Sequence, residues 1–329
     1  MKNLQKALSG VLALQLVLAA GLFWDASAQQ QAAAQPALLV QTEPEQLQRL
    51  EITGDDDSVT LARVDGQWQL PGLLDLPVNG EKLDTLLDKL NALKGIWPVA
   101  TSSSARERFE VAEEKFRKRL KLYTGEDSEP ALELYLGTSP GFRKVHLRRA
   151  DDDAIYAVEL NSFDLPAKAD SWLDTSLLAA GALERIQGPD YALEKGDDGW
   201  RFAKTSIEAG TGNGSEQQAP AVDSGKVRSL AAALETLRIT APVPEAPQVE
   251  ETEILVQSGS GELRYYFAQA DDKYFVRRSD RAQVFEITKH DFDRVVPQRF
   301  ADLVLVERKD SEQTAEGESE AVADDGAQS

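Results

Sequence analysis

A short stretch that occurs twice limits how this chain can fold. The stretch VDGQWQL begins at Val64 and GDDGWRF begins at Gly196, so Trp68 and Trp200 lie 132 residues apart. In both, a turn of Asp and Gly precedes a Trp on a short apolar-alternating segment, which is typical of a β-hairpin. The match indicates one structural unit present in two copies.

Two further blocks repeat in the same order. After each hairpin comes an amphipathic helix pattern, with apolar residues three, four and seven positions apart. Its apolar positions are Leu83, Leu86, Leu90 and Leu93 in the first copy and Val227, Leu230, Leu234 and Leu237 in the second. A meander of short apolar runs follows, in which LRRAD at 147–151 corresponds to VRRSD at 276–280. We therefore predict an α+β fold of two tandem duplicated modules, each a mostly antiparallel β-meander packed with an amphipathic helix.

The spacing between matching residues changes along the chain and locates what each copy adds. It rises from 132 to 144 across residues 205–221, a Gly-rich loop of the second copy, and falls to 129 after residues 104–119 of the first. Specialised function on a shared scaffold is expected in such insertions, because loops vary more freely than the elements they connect.

These patterns also divide the chain. The first module is predicted over residues 45–180 and the second over 181–306. Residues 29–44, which begin QQQAAAQ, are expected to be a tether. Residues 307–329 are expected to be an acidic disordered tail, since the last twenty residues hold seven acids and no base.

The N-terminal segment carries a targeting signal. Lys2 and Lys6 precede an uncharged run at residues 7–24, which as a helix would span about 27 Å, close to the ~30 Å hydrocarbon core of a bilayer. One interpretation is a single transmembrane helix over residues 1–28 that anchors the chain in a bacterial inner membrane, with the body in the periplasm. The alternative is a signal peptide cleaved after Ala28, which would give a periplasmic or secreted protein.

Charge and composition exclude several function classes. The 329-residue chain has a formal net charge of −20, which disfavours nucleic acid and broad adsorption to anionic lipid. It has no cysteine, so zinc ribbons, thiol catalysis and disulfides are excluded. We find no nucleophile motif and no phosphate loop. The sequence therefore predicts no catalytic residue, no metal site, no cofactor and no enzyme.

The remaining residues of interest have structural interpretations. His146 and His290 occupy non-equivalent positions in the two copies, so they form no repeated metal site. Trp68 and Trp200 are expected in the two cores, since both copies need the same filler. Four Asp clusters separate apolar runs, where Asp favours a hairpin turn. These clusters are at residues 55–57, 151–153, 197–198 and 271–272.

One basic cluster stands out in this acidic chain and is the candidate interaction patch. It consists of Arg106, Arg108, Lys115, Arg117, Lys118, Arg119 and Lys121. Glutamates are interleaved at positions 107, 110, 113 and 114. The cluster is therefore either a solvated face with internal ion pairs or a docking surface for an acidic partner, for lipid headgroups or for the chain's own tail.

Several segments together resemble a known family. They are LALQLVLAAGLFW, VDGQWQLP, KLDTLLDKLNALK, WPVATSSSARERFEVAEEKFRKRLKL and AIYAVELNSFDL. With these segments the chain resembles the bacterial family of the domain of unknown function 4340 over residues 5–180, and more weakly over 190–306 through the repeat. RFEVAEEKF is the most specific part of this resemblance, because the rest is generic helix and strand.

The resemblance implies an N-terminal membrane segment and an extracytoplasmic α+β body, encoded near ABC-type export components of the gliding-motility kind. It supplies no catalytic residues. We therefore expect a non-enzymatic, periplasm-facing accessory or interaction subunit of a membrane assembly, with transporter subunits as partners. The alternatives are an extracytoplasmic glycan- or peptide-binding module and, less favoured, a hydrolase.

Overall fold

A computed structural model describes most of the two predicted modules. The described residues are 37–41, 43–125, 129–203, 220–259 and 261–306. The predicted anchor, residues 205–219 of the predicted Gly-rich loop and the acidic tail lie outside these ranges. Among the helices of the described ranges, none has both the length and the apolar character that a membrane crossing requires.

The described residues fall into two compact units. The first runs to Leu178 and also takes in Arg238–Pro242, and the second comprises Ala179–Leu237 and the chain from Val243 onward. The assignment of Arg238–Pro242 to the first unit was not predicted, because the sequence pattern places these residues in the second module.

Up to Leu178 the described residues form ten strands and two α-helices. The strands are β1 (Ala37–Leu38), β2 (Arg49–Thr53), β3 (Ser58–Val64), β4 (Gln67–Leu70), β5 (Leu76–Pro77), β6 (Lys94–Gly95), β7 (Lys118–Tyr123), β8 (Leu132–Leu136), β9 (Lys144–Arg149) and β10 (Ile155–Glu159). The helices are α1 (Gly80–Asn91) and α2 (Ser103–Arg108). Eight strands make one antiparallel sheet in the order β10-β9-β8-β7-β2-β3-β4-β5, and β1 pairs with β6.

From Ala179 onward the described residues form eight strands and three α-helices. The strands are β11 (Leu183–Gln187), β12 (Ala192–Gly196), β13 (Gly199–Phe202), β14 (Ile239–Val243), β15 (Glu251–Ser258), β16 (Gly261–Ala270), β17 (Lys273–Arg278) and β18 (Val284–Ile287). The helices are α3 (Ser224–Glu235), α4 (Lys289–Val295) and α5 (Phe300–Leu303). Seven strands of the second unit lie side by side in the order β18-β17-β16-β15-β11-β12-β13, each antiparallel to its neighbours.

Both long helices begin at a capping side chain and bury the predicted apolar face. Asn79 accepts a hydrogen bond from the Lys82 amide at 2.9 Å, which satisfies one of the free N–H groups at the start of α1. Asp223 accepts from the amides at the start of α3 in the same way. The buried residues are Leu83, Leu86, Leu87 and Leu90 in α1 and Val227, Leu230, Ala231, Ala233 and Leu234 in α3. The α+β class and its mostly antiparallel sheets are confirmed.

The four Asp clusters lie where the turn chemistry predicts. Each occupies the connection between two antiparallel partners: β2 and β3, β9 and β10, β12 and β13, and β16 and β17. Their interpretation as turns is confirmed.

Two expectations about packing differ from the structure. Trp68 and Trp200 are only half-buried, because each lies on a short strand near the outer end of its sheet order. Among the tryptophans of the described ranges it is Trp172 that is fully buried, and its indole Nε1 donates to the Pro166 carbonyl at 2.8 Å. Leu39 and the neighbouring valine, expected in the tether, are buried in the first unit instead.

An arginine secures the entry of the chain into the first unit. Arg149 forms a two-pronged ion pair with Asp151, with Nε–Oδ1 at 2.9 Å and Nη2–Oδ2 at 2.8 Å, and its Nη1 donates to the Leu39 carbonyl at 3.2 Å. The Leu39 amide in turn donates to the Leu93 carbonyl, just beyond α1, at 3.1 Å. One guanidinium therefore ties the entering segment to the β9–β10 turn.

The second unit contains a matching arrangement. Arg278 pairs with Asp280 through Nε–Oδ1 at 2.7 Å and Nη2–Oδ2 at 2.9 Å, and its Nη1 lies 3.4 Å from the Ala179 carbonyl. The Ala180 amide donates to the Leu234 carbonyl near the end of α3 at 3.0 Å. The hydrogen bonds from Arg278 lower the pKa of the Asp280 carboxyl, so this pair stays charged at neutral pH.

Leu50→Ala is expected to lower the free energy of unfolding by about 2–5 kcal/mol, because the Leu50 side chain is fully buried on β2 and its truncation leaves a cavity. Urea unfolding followed by circular dichroism measures the change. Val64→Ala, at an exposed position on the next strand, is the control and should change stability by less than about 0.5 kcal/mol. Equal effects of the two substitutions would contradict the assignment of Leu50 to the core.

Candidate interaction surface

The seven cations of the predicted patch lie on three consecutive segments of the first unit. Two are on α2, two are in the loop that follows it, and three are on β7. In chain order they are Arg106 and Arg108, then Lys115 and Arg117, then Lys118, Arg119 and Lys121. The structure therefore keeps them in one region, but on elements of different kinds.

Four of these seven cations pair with carboxylates of the first unit. The pairs are Arg106 with Asp153, Arg117 with Glu110 at 2.5 Å, and Arg119 and Lys121 each with Glu133 at 4.0 Å. The hydrogen bond from Arg117 lowers the pKa of the Glu110 carboxyl. Much of the patch charge is thus balanced internally, which favours its interpretation as a solvated face.

The inserted segment, residues 104–119, packs against one face of the first sheet. Tyr135 alternates with two leucines on β8, so its ring points to the opposite face of the sheet. There it packs with Ala105, Val111 and Ile155 in a buried apolar cluster, and the half-buried Phe116 ring lies 5.7 Å from the Tyr135 ring. The insertion is therefore held in place by apolar contacts, and its charges point outward or pair with neighbours.

A buried arginine lies between the inserted segment and the sheet. Arg148 on β9 donates from Nε to the Val111 carbonyl at 2.8 Å and from Nη1 to the Asp152 carbonyl at 3.1 Å. Its guanidinium lies 4.8 Å from the centre of the Tyr135 ring. Burial lowers the pKa of Arg148, and these carbonyls compensate the buried charge. Arg148 thus links the insertion to the β9–β10 turn.

A buried histidine lies next to it on the same strand. The His146 ring centre is 4.2 Å from that of Phe109, and its Nδ1 lies 2.9 Å from the Thr138 hydroxyl oxygen. Burial lowers the pKa of His146 below its ordinary value. His290 belongs to the second unit, and within the described ranges no group of three or more metal-ligating side chains occurs.

Strand β10 is an edge of the first sheet, and only its first residue is covered. The Ile155 amide donates to the Ala100 carbonyl at 2.9 Å, and its carbonyl accepts from the Val99 amide at 2.7 Å. Ile155 therefore directs both backbone groups away from β9, and in an antiparallel ladder Ala157 and Glu159 do the same. Among the described residues, no backbone hydrogen bond outside the β9–β10 ladder reaches the amide or carbonyl of either.

Exposed apolar side chains accompany this edge. Three lie in the segment that leads to Val99 and Ala100, which hydrogen-bond to Ile155 at the start of β10. The other two lie near the end of β10. They are Ile96, Trp97 and Val99, then Phe142 and Phe163. Trp97 is 58% exposed, Phe142 87% and Phe163 86%. We call these five residues together with Ala157 the edge surface. Exposed apolar side chains beside an open sheet edge are typical of interaction sites.

A groove of 650 Å³ lies at the far end of β10. Its lining combines an aromatic ring, three cations, two carboxylates and neutral groups. The lining residues are Lys89, Phe142, Arg143, Lys144, Glu159, Leu160, Asn161 and Asp164. Sequence reasoning missed this groove, because the connection between β8 and β9 contains no motif that marks a site. The available signal was the aromatic Phe142 directly after Pro-Gly, where a hairpin tip usually carries polar residues.

The chain is thus an antiparallel α+β protein of two units, one of which has an open sheet edge lined with apolar side chains. Residues 68–257, more than half of the chain, match the family model described as Domain of unknown function (DUF4340). The chain belongs to this family, which confirms the resemblance. No curated protein and no solved structure matches the chain.

His146→Asn is expected to reduce the loss of stability on mild acidification. The pKa of His146 is lower in the folded than in the unfolded chain, so its contribution is fully present above the unfolded value of about 6.5 and is lost as the pH falls toward the folded value. Urea unfolding of both proteins at pH 7.5, 6.5 and 5.5 measures this. The wild type should lose more stability than the variant, by at most about 1.4 kcal/mol per pH unit. Parallel pH profiles would contradict a buried neutral ring.

Proposed function

We propose that the chain is a non-enzymatic, periplasm-facing accessory subunit of a membrane assembly, and that this assembly is an ABC-type transporter. The proposal combines the N-terminal apolar run, the family membership and the edge surface. The transporter partner itself follows from the expectation attached to the family resemblance.

The observation that carries the proposal is the edge surface. A strand with unpaired outward amides and carbonyls can add a strand of another protein. Here the open part of β10 is short, and Trp97 and Phe142 are available at its two ends to bury apolar area. Such a combination fits a protein partner better than a small molecule, because backbone pairing supplies affinity and the flanking side chains supply specificity.

The N-terminal run supports a membrane location. Its length suits a single membrane crossing. Lys2 and Lys6 favour the cytoplasm for the N-terminus, which leaves the two units on the outer side of the inner membrane. Cleavage after Ala28 is the alternative, and it would release the units into the periplasm.

The two units are proposed to descend from one duplicated module. Read from β10 to β4 and from β18 to β13, their strand orders correspond element by element. In both, a capped helix connects the hairpin part to the meander.

The matching arginines support the same history. Arg149 and Arg278 each pair with the Asp two residues on and reach a carbonyl of the segment that enters their unit. The residue before each of these arginines is also an arginine that lies over a tyrosine ring: Arg148 over Tyr135 and Arg277 over Tyr266. The inserted segment packs over Arg148 and Tyr135 of the first unit. This difference agrees with a specialised role of the first unit.

Affinity capture of the tagged full-length chain from solubilised membranes is expected to recover a membrane protein. Ala157→Pro should reduce this recovery about tenfold, because proline removes an outward N–H that a partner strand needs. The ladder to β9 is unaffected, since that N–H does not take part in it. Ala282→Pro, in an exposed loop of the second unit, is the matched control.

Thermal unfolding of each variant checks that the fold is retained, and Phe142→Ala provides a second test of the same edge without a backbone change. Recovery of the chain alone, or equal recovery with every variant, would overturn the proposal.

A glycan- or peptide-binding module is the second candidate, favoured by the exposed Trp97 ring, since such rings stack on sugars. Binding to a glycan array that is lost in Trp97→Ala and kept in Phe163→Ala would support it. An array without binding would exclude the glycan form of this candidate.

A further inference from the structure

The groove at the far end of β10 has the features of a peptide site. We infer that it docks an extended acidic segment of the partner protein, which pairs with the β10 edge at Ala157 and Glu159 and places carboxylates against Arg143 and Lys144. This inference rests on the proposed function and specifies the chemistry of the partner.

The backbone geometry sets where such a segment can pair. Val99 and Ala100 already occupy the edge at Ile155, so an added strand can begin only beyond it. Ala157 and Glu159 offer two outward amides and two outward carbonyls. A strand that pairs there continues directly into the groove, because Glu159 and Leu160 belong to its lining.

The charges of the groove favour an acidic occupant. The Lys89 ammonium is 2.8 Å from the Asp164 carboxylate, so these two groups compensate each other. Arg143 and Lys144 then face one remaining carboxylate, that of Glu159, the cross-strand partner of Lys144. Within the described part of the chain, neither of the two cations lies within ion-pair distance of a carboxylate. A carboxylate of the bound segment would neutralise the remaining positive charge of Arg143 and Lys144.

The hairpin tip presents these cations together with an aromatic ring. Arg143 adopts a left-handed backbone with φ of 56°, which is uncommon for a residue other than glycine. Its guanidinium lies 5.1 Å from the centre of the exposed Phe142 ring. A planar guanidinium held over a ring keeps its outer N–H groups available for a carboxylate.

A lipid surface is the less suitable occupant. Glu159 and Asp164 also line the groove, and the chain has a net charge of −20, so anionic headgroups would meet repulsion around a small basic centre. A peptide strand avoids this cost because it also uses the backbone groups of β10.

Fluorescence anisotropy with two synthetic peptides tests the inference on the full-length chain in detergent. The probes are labelled ten-residue peptides of alternating Val and Glu and of alternating Val and Lys. We expect binding of the Glu peptide only, and at least about tenfold weaker binding in the double variant Arg143→Glu/Lys144→Glu. The matched control, Lys195→Glu/Arg201→Glu, changes two exposed cations of the second unit and should bind like the wild type.

Hydrogen exchange gives a second readout that does not depend on charge alone. The Glu peptide should slow exchange at the amides of Ala157 and Glu159. Equal binding of both peptides, equal loss in both double variants, or unchanged exchange at these amides would overturn the inference. Binding to anionic vesicles that depends on Arg143 and Lys144, without peptide binding, would also overturn it in favour of lipid.

The two proposals can fail separately. If capture from membranes recovers a partner and Arg143→Glu/Lys144→Glu leaves that recovery unchanged, the acidic-segment inference is wrong and the accessory function stands. If no membrane partner is recovered at all, the proposed function is wrong.

Discussion

The pairing of β2 with β7 is the interaction on which the first unit depends. It joins two parts of the chain about 70 residues apart, with Leu50 opposite Leu122 and Ile52 opposite Leu120, all four side chains buried. Without it the chain up to Leu178 would form two separate four-stranded sheets in place of one eight-stranded sheet. The second unit has the same junction between β11 and β15, where Ile186 lies opposite Val256.

This junction also determines which strands are left at the edges. With β7 joined to β2, the meander extends outward to β10, and the last strand has a free side. The inserted segment covers one face of the sheet near this strand, through Val111 and Tyr135, but leaves most of the edge itself open. The inserted segment thus blocks one face of the sheet, while the neighbouring edge keeps unpaired backbone groups. A partner strand can therefore pair at the edge.

The local elements could be predicted from the sequence, and the non-local ones could not. Alternation, Asp-rich turns and the apolar spacing of α1 and α3 depend on neighbours in the chain, and they predicted the hairpins, the meanders, the two long helices and the α+β class. The burial of Trp172 in place of Trp68, and the packing of Leu39, depend on contacts across the sheet. The candidate patch was found as a cluster of charge, but its ion pairs and the open β10 edge needed the strand order.

Site-specific photo-crosslinking in cells shows whether another protein contacts the β10 edge. A benzoylphenylalanine at position 142 reports contacts at the far end of β10, and one at Leu74, also exposed but next to β5 at the other end of the sheet order, is the comparison. We expect a crosslink to a membrane protein from position 142 and none from position 74. Crosslinks from both positions, or from neither, would contradict this expectation.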